Sequence, residues 1–315
     1  MPDSGIQYAA LTYSKIGGAI GSVSNLSINQ SNQGSAFFIR EQDSLYAITA
    51  AHVLPENLRK GTEVVIAYRT KESGFIANKW QLLGASKYVD VAVLIPSSPL
   101  RENDTPSFMT FAEKVPAIGD ISFTLGNPLG MDHASISEGV VRDNAFFYKN
   151  NVRSINTSSQ SHSGSSGGPI TNREGEVIGM VSVGPSEFES LSWGVSSLIM
   201  LPIIRSIIHK KEDFKVGDVD ARLQTPTPLY AITNNLPSLN GVLVSDNTNP
   251  SLKNGDFIVK VNGENIGFSD SLGHGVVVLS AGKNLSFTVH RDGKLLDINV
   301  SCRVINDRFD TILGL

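Results

Sequence analysis

One serine, one histidine and one aspartate in this 315-residue chain lie in local sequences that suit nucleophilic catalysis. Ser166 lies in GSSGGP, His52 follows the run AITAA, and Asp90 precedes the apolar run VAVLI. A serine hydroxyl is a weak nucleophile, so acyl transfer needs a histidine that accepts its proton and a carboxylate that holds the tautomer of that histidine. The three residues therefore predict a Ser-His-Asp triad.

Each of these three features has a structural alternative. The glycines around Ser166 suit a turn in which backbone N–H groups converge on one point, but a plain turn uses the same residues. A histidine at the end of a strand is commonly structural. An aspartate within an apolar strand is costly unless it is hydrogen-bonded, which favours a partner for Asp90. The three features together favour the triad over a coincidence.

The segments that must position these residues are short and β-like. From about Gly21 to Ser197, runs rich in Val, Ile, Phe and Thr alternate with turn-forming residues, a pattern typical of antiparallel barrels and sandwiches. No helical pattern of 10–15 residues separates them, which argues against parallel βαβ units. The length of this stretch fits two packed β-barrel lobes. A surface helix that closes the domain follows, predicted from apolar residues at helical spacing, Leu201, Ile204, Ile207 and Ile208.

A second, smaller β-rich module begins near Asp218. Strand-like runs resume there, and the Asp-Gly pair in HRDGK predicts a β-hairpin. We predict one domain at residues 1–212 and another at 213–315, with a linker at about 209–220. The predicted fold class is mainly β, with two barrels followed by the smaller module.

Composition and charge exclude several classes of partner. The formal net charge is -4 and no run of Lys or Arg stands out, so neither a nucleic acid nor an anionic membrane surface is expected to bind. No apolar run is long enough for a membrane span. Cys302 is the only cysteine, which excludes an internal disulfide and predicts a buried structural residue. No histidines lie at metal-ligand spacing, so we expect neither a metal nor a cofactor.

The quoted motifs resemble those of trypsin/chymotrypsin-like serine proteases. TAAHV is similar to the histidine motif of that family, DVAVL to its aspartate motif and GSSGGP to its serine motif. The resemblance makes His52 the general base, Asp90 its orienting group and Ser166 the nucleophile. It also implies an oxyanion hole formed by the backbone N–H groups of Gly164 and Ser166.

Within that family the chain resembles the HtrA/Deg group. LGNPLG and INTSSQSHSGSSGGPI are similar to segments of that group, and GVLVSDNTNPSLKNGDFIVKVNGENI resembles the core of a bacterial PDZ domain. The resemblance implies a peptide-binding groove between a strand near Ala221–Gln224 and a helix near Leu272–Leu279. Pro226 and Pro228 crowd the expected position of that strand.

The segment just before the nucleophile departs from the family pattern. Ser161 stands where HtrA enzymes carry an apolar residue, and His162 stands where asparagine is common. In the resemblance this segment is one wall of the S1 pocket, so Gln160, Ser161 and His162 are predicted to accept a more polar P1 side chain; alternatively, His162 points to solvent. The SWG motif resembles the strand that pairs with a substrate backbone, which predicts a binding role for Ser192, Trp193 and Gly194.

These features predict a serine endopeptidase that acts on protein or peptide substrates, with a PDZ-like domain for peptide binding or regulation. The alternative is a non-catalytic or conditionally active scaffold with a chaperone-like role, and a third reading is a processing protease with one partner substrate. Family analogy implies a homotrimer, to which Tyr8 and Tyr13 would contribute. Because the N-terminal sequence does not resemble a secretory signal, we expect a cytoplasmic location, with a periplasmic or secreted enzyme as the alternative.

Overall fold

The chain forms two compact units. This computed structural model describes residues 5–25, 33–55, 59–127, 133–148, 152–182, 191–266 and 276–305. The first unit comprises Met1–Asn144 and Ser154–Phe214, and the second comprises Lys215–Leu315 with the short segment Ala145–Arg153. The first unit thus ends two residues beyond the predicted boundary.

The first unit contains two closed six-stranded barrels, which confirms the predicted fold class. In the first barrel the strands follow one another in the order β1-β2-β3-β6-β5-β4. Its strands are β1 (Ile20–Asn25), β2 (Gln33–Glu41), β3 (Ser44–Thr49), β4 (Glu63–Thr70), β5 (Gly74–Ser86) and β6 (Val91–Pro96). Alternate side chains point inward, and the rings of Phe38, Tyr68 and Trp80 meet in the core with centroids 5.0–6.5 Å apart.

The second barrel has the strand order β10-β11-β12-β9-β8-β7. Its strands are β7 (Ile121–Gly126), β8 (Ser135–Tyr148), β9 (Val152–Thr157), β10 (Pro169–Asn172), β11 (Val177–Val181) and β12 (Ser192–Ser196). Aliphatic side chains fill its interior, among them Val141, Ile155, Ile170, Ile178 and Val181. The segment that carries Ser166 connects β9 to β10, so both of its ends are fixed by this barrel.

Two helices flank the barrels. Helix α1 (Gly5–Ile16) was not predicted, whereas α2 (Ser197–Lys210) is the predicted helix. One face of α2, including Ile204, Ile207 and Ile208, is buried against the strands, while the other face is exposed at Pro202 and Arg205. It ends at Lys210. The C-cap residue Lys211 has a left-handed backbone, and its N–H donates to the Ile207 carbonyl at 2.7 Å.

The second unit is a small β-rich module with its own core. Its strands and helix are β13 (Val216–Asp218), β14 (Ala221–Gln224), α3 (Pro228–Thr233), β15 (Val242–Asn247), β16 (Phe257–Val261), β17 (Glu264–Asn265), β18 (Asn284–Arg291), β19 (Lys294–Ser301) and β20 (Arg303–Ile305). The predicted linker contains β13, which pairs with β20 and is therefore part of the module. Pro226 and Pro228 follow β14 and do not interrupt it, because Pro228 begins α3 with Thr227 as its N-cap. Residues 267–275, at the start of the predicted groove helix, lie outside the described residues.

Candidate active site

His52 and Asp90 lie side by side on the first barrel. His52 occupies a single 3-10 turn, Ala51–Val53, directly after β3. Asp90 lies one residue before β6 rather than inside a strand, and its φ of 65° is a left-handed conformation that aspartate tolerates better than most residues. His52 Nδ1 is 2.7 Å from Asp90 Oδ2. The predicted contact between the two side chains is therefore present.

Three donors hold the Asp90 carboxylate. The backbone N–H of His52 donates to Oδ1 at 2.9 Å, and the hydroxyl of Ser182 donates to Oδ2 at 2.5 Å. An ionised carboxylate is only an acceptor, so the close contact with Nδ1 places the ring proton on Nδ1 and leaves Nε2 as a proton acceptor. This arrangement fixes the tautomer that a general base requires.

The turn around Ser166 leaves two backbone donors without an acceptor. The carbonyl groups of residues 164, 165 and 166 accept hydrogen bonds of 2.7–2.9 Å, and the N–H groups of residues 165, 167 and 168 donate to backbone carbonyls at 2.8–2.9 Å. Within the described part of the chain, the N–H groups of Gly164 and Ser166 have no acceptor. Buried backbone polar groups are almost always paired, so two open donors beside a serine hydroxyl form a potential anion site.

This turn packs directly on the segment that carries His52. A Cβ added at Gly167, whose φ is 85°, would overlap the Thr49 hydroxyl and the Ser35 carbonyl oxygen. A Cβ added at Gly34 would lie 2.5 Å from both methyl groups of Val53 and 3.0 Å from the Ser166 carbonyl oxygen. Only glycine fits at either position, so the serine turn and the histidine turn are held in close contact.

The predicted specificity segment lies beside this turn. Gln160 and His162 are exposed, and Ser161 is half-buried. The main chain of this segment is anchored, because Gln160 N–H donates to Ser137 Oγ at 2.8 Å and the His162 carbonyl accepts from Ser165 N–H at 2.8 Å. The exposed side chains are thus carried on a fixed backbone.

The SWG strand does not offer the free edge that was predicted for it. Strand β12 pairs with β9 along one edge and with β11 along the other, and Ser182 N–H donates to the Trp193 carbonyl at 3.0 Å. Ser192 is fully buried, and its hydroxyl donates to the Ser159 carbonyl at 2.8 Å. The prediction that Ser192, Trp193 and Gly194 pair with a substrate backbone is therefore wrong, because their hydrogen bonds are used within the barrel.

Two regions of the chain match known domain families. The profile of the family described as "Trypsin-like peptidase domain" matches residues 34–180, and that described as "PDZ domain" matches residues 233–302. The chain thus resembles a trypsin-like peptidase domain followed by a PDZ domain. The predicted resemblance to the HtrA/Deg group is confirmed by the names of its relatives and structural neighbours.

The relatives of this chain are distant in sequence. A "Probable periplasmic serine endoprotease DegP-like" of Marinomonas sp. is 27% identical over 86% of this chain and 57% of its own length. A protein of the same name from Hahella chejuensis is 29% identical over 70% of this chain and 48% of its own length. The "HtrA-type protease AlgW with tripeptide" aligns over 95% of this chain and 97% of its own with 21% identity and a TM-score of 0.72. The chain spans only 38–57% of the length of the two DegP-like relatives and of a "Serine protease HtrA-like" from Staphylococcus aureus.

The names of these relatives overturn the expected location. Both DegP-like relatives are named periplasmic, which contradicts the expectation of a cytoplasmic protein. That expectation used only the first residues of the chain, and these carry no information about a segment that precedes them. No helix among the described residues is long and apolar enough to cross a membrane.

Two serines that bond to residues of the candidate site were not predicted. Ser182 lies 92 positions after Asp90 in the chain, and Ser35 lies 129 positions before Gly164, yet each bonds to that residue. Neither has a local motif, and their roles appear only when the two barrels meet. The available signal was the position of Ser182 directly after β11, whose last residue, Val181, bonds to Gly167 and Gly168 of the serine turn.

Cys302 is structural. It is buried, its Sγ lies 3.3 Å from the Val277 carbonyl oxygen, and burial raises the pKa of its thiol to about 11. A thiol with that pKa is almost entirely protonated at neutral pH and is a poor nucleophile. Among the described residues, no group of three or more His, Cys, Asp or Glu side chains is arranged to hold a metal ion.

Proposed function

We propose that this protein is an active serine endopeptidase that hydrolyses peptide bonds through Ser166, His52 and Asp90. The observation that carries the proposal is the fixed Asp90–His52 pair together with a serine turn whose two open N–H groups lie on either side of Ser165. Relatives named serine proteases support the same activity. The chain spans about half of their length, so its substrates are inferred from the site alone.

The geometry supports an acyl-enzyme mechanism. His52 Nε2 accepts the hydroxyl proton of Ser166 while Oγ attacks the scissile carbonyl carbon, and the oxyanion forms beside the N–H groups of Gly164 and Ser166. Asp90 stabilises the imidazolium without accepting its proton. Nε2 then donates that proton to the leaving amine as the peptide C–N bond breaks. A water molecule, deprotonated by the same nitrogen, hydrolyses the ester and restores Ser166.

Replacing the nucleophile tests this proposal. We expect Ser166→Ala to abolish casein cleavage and labelling by a fluorophosphonate probe, because neither the acyl-enzyme nor the probe adduct can form without the Ser166 hydroxyl. Ser163→Ala is the matched control, since Ser163 is an exposed serine of the same segment and should be dispensable. Both activities are measured on purified protein with circular dichroism as a check of folding. Undiminished cleavage by Ser166→Ala would rule the mechanism out.

One observation favours a conditionally active enzyme as a second candidate. Among the described residues, no hydrogen bond joins Ser166 Oγ to His52, although such a bond commonly tightens only when substrate binds. Casein turnover is to be compared with and without peptides that bind the PDZ domain. A rise in turnover with peptide indicates conditional activity. Absence of both turnover and probe labelling in every condition indicates a scaffold.

We further propose that Gln160, Ser161 and His162 select the P1 side chain. The three residues immediately precede the serine turn, and their main chain is anchored while two of their side chains are exposed. A polar wall of this kind favours a polar P1 residue over an aliphatic one. Mass spectrometry of the peptides released from casein gives the P1 distribution, and Ser161→Ile is expected to move it toward aliphatic residues.

For the PDZ domain we propose peptide binding at β14. This strand is an edge strand of its sheet among the described residues, so a peptide can add to it as a further strand. By family analogy we also propose a homotrimer and a periplasmic or secreted location. Light scattering after size-exclusion chromatography measures the first, and cell fractionation measures the second.

A further inference from the structure

Ser35 is a buried serine at the contact between the two barrels. It belongs to β2 on the first barrel and is completely inaccessible to solvent. Its backbone N–H donates to the Ser166 carbonyl at 2.7 Å, and its carbonyl accepts from Thr49 Oγ1 at 2.7 Å. Ser35 thus joins the nucleophile to the strand that ends three residues before His52.

The hydroxyl of Ser35 makes two further bonds, and their directions are determined. The backbone N–H of Asn127 donates to Ser35 Oγ at 2.8 Å, so Oγ is the acceptor there. A serine hydroxyl has a single proton, and the remaining contact, 2.7 Å to the Gly164 carbonyl oxygen, is the bond that uses it. The hydroxyl therefore donates to Gly164 and is oriented by Asn127.

This donation bears on the oxyanion hole because it holds the turn between the two open N–H groups. Gly164 has a φ of 91°, a conformation available mainly to glycine. The direction of its carbonyl sets the orientation of the peptide group that leads to Ser165 and Ser166. The Ser35 hydroxyl fixes that carbonyl, and the Ser35 N–H fixes the carbonyl of Ser166. The two bonds hold both ends of the segment whose N–H groups stay open.

We propose that Ser35 is a positioning residue for the oxyanion hole. Its hydroxyl orients the peptide group between Gly164 and Ser165, which lies between the two N–H groups that stabilise the transition state. This proposal rests on the proposed endopeptidase activity. Because the hydroxyl acts on the donors and not on the bound substrate, its loss affects the transition state more than the ground state. Nothing in the local sequence GSAFF indicates this role.

The test compares two serine-to-alanine variants of adjacent strands. Ser35→Ala removes the donor to Gly164. Ser22 is paired in register with Ser35, and Ser22→Ala removes a buried hydroxyl that has no hydrogen-bond partner among the described residues. With a fluorogenic peptide taken from a casein cleavage site, we expect Ser35→Ala to lower kcat by about 10- to 100-fold. KM should stay within about twofold, and Ser22→Ala should match the unmodified protein.

Two additional measurements separate positioning from folding. The end point of fluorophosphonate labelling counts the competent sites. Because kcat is expressed per labelled site, unfolded molecules in a sample do not lower the value. Should Ser35→Ala not fold, Ser35→Cys retains a weak donor of similar size and is expected to give an intermediate kcat.

The outcomes distinguish this proposal from the proposed function. An unmodified protein that neither cleaves casein nor reacts with the probe overturns the endopeptidase activity itself. An active protein whose Ser35→Ala variant has the same kcat per labelled site as Ser22→Ala overturns the positioning role alone. Equal losses in both variants likewise overturn it, because they would trace to general packing.

Discussion

Two aspartates, one in each unit, are held by neighbouring groups in different ways. Asp90 in the peptidase unit receives bonds from an imidazole, a backbone N–H and a hydroxyl, and its side chain is 18% exposed. Asp256 in the PDZ unit is fully buried against Arg291, whose Nε and Nη2 donate to its two oxygens at 2.6 Å. Only Asp256 faces a permanent positive charge.

The partner of Asp90 is a histidine and that of Asp256 is an arginine, and this difference suits the two aspartates to different roles. The hydrogen bonds to Asp256 raise the pKa of the Arg291 guanidinium, so Arg291 keeps its positive charge. Lys253 N–H also donates to Asp256, and Arg291 Nη2 donates to the Ser251 carbonyl, so the pair holds the loop between β15 and β16 to the end of β18. The partner of Asp90 can gain a proton during a reaction, whereas the partner of Asp256 cannot. One carboxylate is placed to respond to proton transfer and the other to stabilise the fold.

The largest expected effect comes from Asp90→Asn. The amide can donate to Nδ1, which selects the tautomer whose Nε2 carries a proton and cannot act as a base. We expect the rate of fluorophosphonate labelling to fall by about 10⁴-fold, while the free energy of unfolding changes by less than about 1 kcal/mol. A large loss of stability, or a labelling rate within tenfold of the unmodified protein, would contradict the chemical role.

The same substitution at Asp256 should give the opposite result. Asp256→Asn leaves the Arg291 charge without its counter-ion in a largely buried site, and we expect the PDZ unit to lose about 2–4 kcal/mol of stability in urea unfolding. Labelling of Ser166 should continue at the unmodified rate when the protein is folded. The two variants serve as controls for each other, and similar losses of stability in both would remove the distinction between the aspartates.

How much of this was predictable from sequence depends on the distance over which each feature is determined. His52, Asp90 and Ser166 each lie in a motif of five or six residues. A tight hairpin turn requires positive φ, which Asp292 and Gly293 tolerate. Local sequence patterns were therefore sufficient to predict these features. Ser35 and Ser182 act through partners 129 and 92 positions away, and no local pattern encodes those contacts.

The incorrect prediction for the SWG strand has a related physical cause. A short strand motif indicates that a segment is extended, but whether its edge is free depends on which strands become its neighbours. In the folded barrel β9 and β11 occupy both edges of β12. Barrel closure is a property of all six strands, so the motif alone was insufficient.

The smallest expected effect tests the third partner of Asp90. Ser182→Ala removes one of three hydrogen bonds to the carboxylate but leaves the Nδ1 contact and the His52 N–H in place. We expect kcat/KM to fall by about tenfold, the value of one hydrogen bond to a charged group, with Ser182→Thr restoring it because the hydroxyl is retained. The loss should be far smaller than that of Asp90→Asn, since the tautomer of His52 is unchanged. A Ser182→Ala variant with full kcat/KM would show that two donors suffice to hold Asp90.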